Sequence, residues 1–170
     1  MKQLKLTNIA NNEALTSDVL SILLWNDERL LHTYDAGTEY AMLQEEYNEL
    51  QQAIKDNNIH EILDAYCDIY VVFYGSVYKA KLNNVDVKTT LKEYDKWYNI
   101  VSNIESTFYG YGYRFKCCIQ ETLDEIFSRT GSVNLDTGKW EKDKSEEAKS
   151  KWVTANYEKC KLKKETETEQ

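Results

Sequence analysis

Two apolar stripes at helical spacing, separated by a short polar turn, constrain the fold of this chain more than any other feature. The first stripe consists of Tyr40, Leu43, Tyr47, Leu50 and Ile54. The second consists of Ile62, Tyr66, Ile69, Phe73 and Val77. The polar sequence KDNN at 55–58 lies between them. Such stripes predict two amphipathic helices, and so short a connection requires them to pack antiparallel as a helical hairpin.

The composition favours an all-α fold. The 170 residues include no proline, 6 glycines and 42% hydrophobic residues, so long uninterrupted helices form more easily than a turn-rich β fold. We predict one domain over residues 1–160, because this length suffices for one substantial core. A disordered charged tail is predicted over 161–170, where apolar residues stop after Leu162.

Capping residues predict where the first two helices begin. Thr16 and Ser17 form a good N-cap pair for a first helix, followed by a less regular connection over 25–36. Thr38 is predicted to cap the second helix, which ends in the KDNN turn. A third helix is then predicted from about Ile59 into the region of Lys79.

Apolar spacing also predicts the later helices. A fourth helix is predicted from Val87, Leu91, Tyr94, Tyr98 and Val101, and a fifth from Phe115, Ile119, Leu123 and Ile126. The glycine- and tyrosine-rich segment 108–115 is interpreted as a bend between them. Gly131 and Gly138 indicate turns, and Ser145 is predicted to cap a last helix that holds Ala148, Trp152 and Ala155.

Charge and cysteine usage exclude several classes of protein. The net charge of -8, from 29 acidic and 21 basic residues, argues against a general nucleic-acid or anionic-membrane binder. The amino terminus lacks the apolar core of a signal peptide, and no stretch approaches membrane-spanning length. The 4 cysteines show neither CxxC spacing nor a histidine partner pattern. We therefore expect reduced, structural thiols in a cytoplasmic protein.

Carboxylates recur at helical spacing beside both stripes of the hairpin. They are Glu45, Glu46 and Glu49 on the second helix and Glu61, Asp64 and Asp68 on the third. Antiparallel packing should bring Glu49 to the level of Glu61 and Asp64. A single acidic run is most often a solvated helix face, but two sets on consecutive helices favour a metal site. Because converging carboxylates repel one another unless a cation binds, the expected occupant is a hard divalent cation such as Mg²⁺.

At these residues the chain resembles the all-α NTP pyrophosphohydrolases of the MazG-like superfamily, particularly the phage-type and phosphoribosyl-ATP pyrophosphohydrolase-like members. The family pattern EExxE followed by ExxD corresponds to EEYNE at 45–49 and EILD at 61–64. The sequence AYCDIYVVFYG at 65–75 is similar to the family version in which a further Asp precedes an apolar run and glycine. The segment WNDER at 25–29 and the pattern around Arg129, Gly131, Gly138 and Lys142 also resemble family segments.

The resemblance implies a MazG-like four-helix core with additional helices, assembled as a homodimer or homotetramer. It implies hydrolysis of a nucleoside triphosphate, typically a deoxynucleoside triphosphate, to the monophosphate and pyrophosphate by metal-activated water. Mg²⁺, or Mn²⁺, would be the cofactor, and Glu45 or Glu49 the base. The implied metal ligands are Glu46, Glu49, Glu61, Asp64 and Asp68. Arg129 and Lys142 are implied phosphate contacts, although either is equally well explained as a surface charge.

Two departures from the family pattern leave alternatives open. The spacer between Glu49 and Glu61 is slightly short, so the second ligand pair is either Glu61 with Asp64 or Asp64 with Asp68. The stretch from Lys79 to Lys116 is expanded, which predicts an added or lengthened helix. The alternative functions are a phosphoribosyl-ATP pyrophosphohydrolase and a catalytically inactive helical oligomer or interaction protein. The composition is compatible with a phage gene, whose product would act in the host cytoplasm.

Overall fold

The computed structural model describes residues 15–136 and 140–163. In this part of the chain helices predominate and the only sheet has two short strands, which confirms the all-α fold class. The helices are α1 (Ser17–Glu28), α2 (Ala36–Lys55), α3 (Ile59–Leu82), α4 (Val87–Thr90), α5 (Tyr94–Ser102), α6 (Ile104–Gly110), α7 (Phe115–Ser128) and α8 (Glu146–Lys149). The strands are β1 (Gly131–Val133) and β2 (Trp140–Lys142). None of the described helices is both long and apolar enough to cross a membrane.

The predicted hairpin is formed by α2 and α3. Its turn follows Lys55, as expected, with Asn57 in the left-handed region at φ 51°. The predicted cap of α2 at Thr38 is wrong. Asp35 is the N-cap instead, because its carboxylate accepts a hydrogen bond of 2.7 Å from the backbone N–H of Thr38.

Helix α3 lies at the centre of the molecule and packs against α1, α2, α5 and α7. The core around it is built from both predicted stripes and from the other helices, with Leu43, Leu50, Leu63, Ile69, Phe73, Trp97, Phe108, Ile119 and Leu123 fully or almost fully buried. A polar link crosses three helices, since Asp18 accepts hydrogen bonds from Tyr70 (2.6 Å) and Lys116 (3.0 Å). This link therefore ties α3, one arm of the hairpin, to α1 and α7.

Two predicted boundaries between helices differ from the structure. Helix α1 continues to Glu28, so most of the segment WNDER is helical rather than irregular. The predicted fourth helix is divided into α4 and α5, because Glu93 adopts a left-handed conformation with φ 59° that no α-helix can contain. Together with α6, these helices are the expansion predicted between Lys79 and Lys116.

The region after α7 differs most from the prediction. Instead of turns alone, β1 and β2 pair antiparallel, with Val133 opposite Trp140 and Gly131 opposite Lys142. Ser145 does cap α8, but the helix ends at Lys149 and excludes Trp152 and Ala155. Leu162 pairs with Gly112 through a backbone hydrogen bond of 2.8 Å. Gly138, residues 164–170 of the predicted tail and residues 1–14 lie outside the described residues.

The expectation of four reduced thiols is wrong for two of them. Cys117 and Cys160 form a disulfide across 43 residues of sequence, with their Cα atoms 5.5 Å apart. The pairing could not be read from spacing, because it depends on the carboxyl-terminal segment returning to α7. Cys67 and Cys118 are free and buried.

Candidate active site

Four of the predicted carboxylates lie close enough across the α2–α3 hairpin for their charges to raise the pKa of two of them, Glu46 and Asp68. We call Glu46, Glu49, Asp64 and Asp68 the acidic face. Burial raises the pKa of Glu46 to about 7, and the charges of Glu49, Glu45 and Asp64 add to the rise. The raised pKa favours retention of a proton by Glu46 near neutral pH when no cation is bound.

Asp68 shows the same effect on the opposite helix. Burial raises the pKa of Asp68 well above its usual range, and the Asp64 and Glu46 carboxylates raise it further. Because like charges are crowded here beside the apolar core, a proton or another cation is needed to neutralise this face.

Glu49, Glu61 and Asp64 line a cavity of about 260 Å³ at the turn end of the hairpin. Glu61 lies in the first turn of α3 and is exposed, as is Glu45 on α2. Within the described ranges, no three acidic, histidine or cysteine side chains are already arranged around a point where a metal ion could bind. The acidic face and this cavity share Glu49 and Asp64. The other member of one candidate ligand pair, Glu61, lines the cavity, and that of the alternative pair, Asp68, belongs to the acidic face.

The two predicted basic residues approach this face. The charge of Arg129 opposes the rise in the pKa of Asp68, and Asp68 and Glu46 in turn act on Lys142. Burial and the neighbouring Arg129 lower the pKa of Lys142 below its usual range. Arg129 is also paired with Glu125 on α7. The structure therefore places two cations beside the acidic face, from a region of the chain far from it in sequence.

The β1–β2 hairpin explains how Lys142 reaches that position. Residues two apart on a strand share one face, so Trp140 and Lys142 point to the same side and Glu141 to the other. The two strands approach closely at Gly131, where an added Cβ would lie 2.6 Å from the Trp140 ring and would clash with the Glu141 carbonyl. Glycine at 131 is therefore required by the close approach of the strands, and the turn predicted there from sequence is wrong, because Gly131 begins β1.

A second, mostly apolar cavity of about 330 Å³ continues along the hairpin, and we call it the apolar cavity. Met42 lines it one turn before Glu46 on α2, and Val72 lines it one turn after Asp68 on α3. Because residues four apart on a helix share one face, the apolar cavity and the acidic face lie end to end along the same groove.

Two tryptophans form one wall of the apolar cavity, and sequence reasoning did not select them. The rings of Trp25 and Trp140 meet edge to face with centroids 5.8 Å apart. The Arg29 guanidinium lies 4.4 Å from the Trp25 centroid and 5.1 Å from that of Trp140. The alternate spacing of Trp140 and Lys142 could have indicated that both side chains lie on one face of a strand. It could be used only if these residues were already known to form a strand.

A buried ion pair closes the far end of the apolar cavity. The Lys79 ammonium lies 2.6 Å from Glu39, and Ser76 donates a hydrogen bond of 2.7 Å to the other oxygen of that carboxylate. Glu39 and Lys79 both line the cavity. This acid forms a direct ion pair, whereas Arg129 and Lys142 act on the acidic face without offsetting the rise in the pKa of Glu46 and Asp68.

Comparison with known proteins gives one family. Residues 27–96 match the family model described as phosphoribosyl-ATP pyrophosphohydrolase. The matched region contains the whole α2–α3 hairpin with its acidic face. Neither the curated proteins nor the solved structures give a match.

Proposed function

We propose that this protein hydrolyses a nucleoside triphosphate, because residues 27–96 match the phosphoribosyl-ATP pyrophosphohydrolase family of the MazG-like all-α superfamily, which points to nucleotide pyrophosphohydrolase activity. The products would be the nucleoside monophosphate and pyrophosphate. The anhydride cleaved would be the one between the α- and β-phosphates. A deoxynucleoside triphosphate is the proposed substrate class.

The groove along the α2–α3 hairpin is the observation that carries this proposal. One part of it holds a cluster of carboxylates with Arg129 and Lys142 beside it, and the adjoining part is an apolar cavity walled by tryptophans. A nucleoside triphosphate matches these two parts of the groove, because its polyanionic triphosphate is joined through the sugar to a flat aromatic base. The cavity volume of about 330 Å³ falls within the range of small-ligand pockets.

The donor set fits Mg²⁺ or Mn²⁺, because every candidate ligand is a carboxylate oxygen. Glu46, Glu49 and Asp64, with Glu61 or Asp68, would hold the ion. Mg²⁺ is commonly bound by one or two carboxylates together with substrate phosphates, so a site lacking three preformed ligands suits it. When bound, the ion would neutralise phosphate charge and lower the pKa of a ligated water.

The side chains of this chain would supply the remaining functions. Glu45 or Glu49 would take the proton from the attacking water. Arg129 and Lys142 would contact the phosphates of the substrate, whose negative charge would also raise the pKa of Lys142 and keep it protonated. Trp25 and Trp140 would contact the base and exclude water from it.

Phosphoribosyl-ATP is the second candidate substrate, and the description of the matching family favours it. This nucleotide carries an additional ribose phosphate on its base. Among the described residues that line the apolar cavity, however, Lys79 is the one lysine or arginine, and it is already paired with Glu39. An unmodified base is therefore the better fit to this cavity.

Pyrophosphate release from a panel of nucleotides tests the proposal. The panel contains the canonical and several modified deoxynucleoside triphosphates, ribonucleoside triphosphates and phosphoribosyl-ATP, each with Mg²⁺ or Mn²⁺. We expect turnover of at least one triphosphate and none without the metal. No turnover of any member, together with no metal-dependent rise in Tm, would leave the inactive helical protein as the function.

Glu49→Gln provides the site-specific test. We expect at least a 100-fold loss of activity in a folded protein, since the change removes a ligand charge or a base. Asp56→Asn is a matched control, because Asp56 lines the same cavity as Glu49, is exposed and does not belong to the proposed ligands. An active Glu49→Gln variant would remove Glu49 from the mechanism. The homodimer or homotetramer, the phage origin and the cytoplasmic location stay predictions.

A further inference from the structure

The carboxyl-terminal segment 155–162 folds back along α7, and we call it the strap. Its backbone N–H groups donate to α7 carboxylates, from Ala155 to Glu125 (2.7 Å) and from Asn156 to Glu121 (3.1 Å). Farther along, the strap exchanges backbone hydrogen bonds with the turn before α7, including one of 3.0 Å from Arg114 to Cys160. These contacts bring a segment more than 90 residues beyond Asp64 in sequence back to the α2–α3 hairpin.

The strap is covalently fastened to α7 by the Cys117–Cys160 disulfide. Cys160 is fully buried, whereas Cys117 is partly exposed, so a reductant can approach the bond from the side of Cys117. Disulfides are rare in reducing compartments, where those that do form are usually transient, catalytic or redox-sensing. In the expected cytoplasmic location the Cys117–Cys160 bond would therefore be open to reduction.

One strap side chain reaches the acidic face. The Tyr157 hydroxyl donates a hydrogen bond of 2.6 Å to Oδ1 of Asp64, and Thr122 Oγ1 on α7 lies 2.9 Å from the same hydroxyl. Tyr157 is 5% exposed, so its ring is held by packing as well as by these two contacts. The phenol therefore fixes one oxygen of Asp64 and with it the direction of the other.

We propose that Tyr157 is a positioning residue for Asp64, and that the Cys117–Cys160 disulfide makes cation affinity at the acidic face dependent on the thiol–disulfide state. The inference rests on the proposed function in taking Asp64 as a metal ligand. A hydrogen bond that orients a ligating carboxylate commonly changes metal affinity by 10- to 100-fold. Opening the disulfide frees the end of the strap that lies three residues beyond Tyr157, so this contact forms for a smaller fraction of the time.

The redox step balances with a dithiol as the reductant. One of its thiolates attacks Sγ of Cys117, and Cys160 leaves as a thiolate that takes up a proton. The second thiol of the reductant then closes its own disulfide and releases the Cys117 thiolate, which is also protonated. The protein gains two electrons and two protons, and the reductant is oxidised to its disulfide.

Mn²⁺ binding to the full chain tests the role of Tyr157 without any turnover. The probe is Mn²⁺ alone, with the free ion measured by electron paramagnetic resonance. We expect Tyr157→Phe to weaken Mn²⁺ binding by about 10-fold while retaining its fold. Thr122→Val is the matched control, since it removes the other hydrogen bond of the phenol and leaves the bond to Asp64; its Mn²⁺ affinity should be close to that of the wild type.

The same assay tests the disulfide. After treatment with a dithiol and its removal under anaerobic conditions, the wild type should bind Mn²⁺ at least 3-fold more weakly (about the smallest change that the assay resolves), and reoxidation should restore the affinity. Cys117→Ser should show the weaker affinity under both conditions. Cys118→Ser retains the disulfide cysteines and should respond to the dithiol as the wild type does.

The outcomes separate the role of Tyr157 from that of the disulfide. Wild-type affinity in Tyr157→Phe, or a change in Tm alone, overturns the positioning role, and an affinity unaltered by reduction overturns the redox dependence. A wild type that binds no Mn²⁺ overturns both. Pyrophosphate release is measured separately. Shifts in Mn²⁺ affinity without any turnover support this inference and overturn the proposed function. Turnover with unshifted Mn²⁺ affinities supports the proposed function and overturns this inference.

Discussion

Glu39 and Glu46 lie two turns apart on α2 and approach the same neighbour, α3, but their surroundings are opposite. The buried Glu39 carboxylate contacts the Lys79 ammonium at 2.6 Å and accepts a hydrogen bond from Ser76. Glu46 is partly buried, and burial together with the charges of neighbouring carboxylates raises its pKa to about 7, although the charge of Lys142 opposes the rise. One helix pair thus contains a carboxylate that the chain neutralises and one that it leaves for a proton or an added cation.

This difference separates a structural acid from a candidate functional one. A buried carboxylate that has its own cation strengthens the packing of two helices, and removing either partner leaves an unpaired charge. A carboxylate held against others raises the free energy of the folded protein until a cation binds. The same substitution at the two positions should therefore change stability in opposite directions.

Glu39→Gln should have the largest effect, a loss of about 3–5 kcal/mol in the free energy of unfolding. The change leaves the Lys79 ammonium, whose side chain is 10% exposed, without its counter-charge. Urea unfolding followed by circular dichroism measures the loss. Glu45→Gln, at an exposed position on the same helix, should change stability by less than about 0.5 kcal/mol. A loss at position 39 no larger than at position 45 would remove the distinction between the two acids.

Glu46→Gln should stabilise the protein by about 2 kcal/mol at pH 8 while lowering activity. The pKa of Glu46 is raised from 4.5 to about 7. The wild type is therefore most stable below about pH 4.5, and its free energy of unfolding decreases as the pH rises toward 7, because ionisation of Glu46 is less favourable in the folded protein. The glutamine variant cannot ionise at this position, so its stability does not show this decrease. Unfolding curves at pH 4 should coincide and those at pH 8 should differ. A variant less stable than the wild type at pH 8 would contradict the repulsion assigned to this face.

Trp140→Ala should have the smallest effect of the three, and it should act on substrate binding rather than on stability. We expect KM to rise by about 10-fold with little change in kcat. It removes a wall of the apolar cavity, which is the part of the groove assigned to the base. Steady-state pyrophosphate release measures both constants. Leu135→Ala, whose side chain is 96% exposed in the same β-hairpin, is the control. An unchanged KM would place the base outside this cavity.

Sequence reasoning worked best where the structure depends on neighbouring residues. The stripes predicted α2, α3 and their turn. EExxE and ExxD selected Glu46, Glu49 and Asp64 of the acidic face, and the segment 65–75 added Asp68. It worked least well after Arg129, where the strand containing Trp140 and Lys142 is only three residues long. So short a strand shows almost no alternation, and its pairing depends on β1 rather than on its own residues.

The amino-acid sequence by itself determined the helical hairpin and the crowding of carboxylates on it, because helical spacing alone places residues three and four apart on one face. Only the tertiary structure decided which basic side chains lie near each of these carboxylates. Lys79 reaches Glu39 from the far end of α3, whereas Arg129 and Lys142 come from beyond α7. It also decided the Cys117–Cys160 bond and the contact of Tyr157 with Asp64. These depend on contacts between segments 40 to 100 residues apart, which no local spacing records.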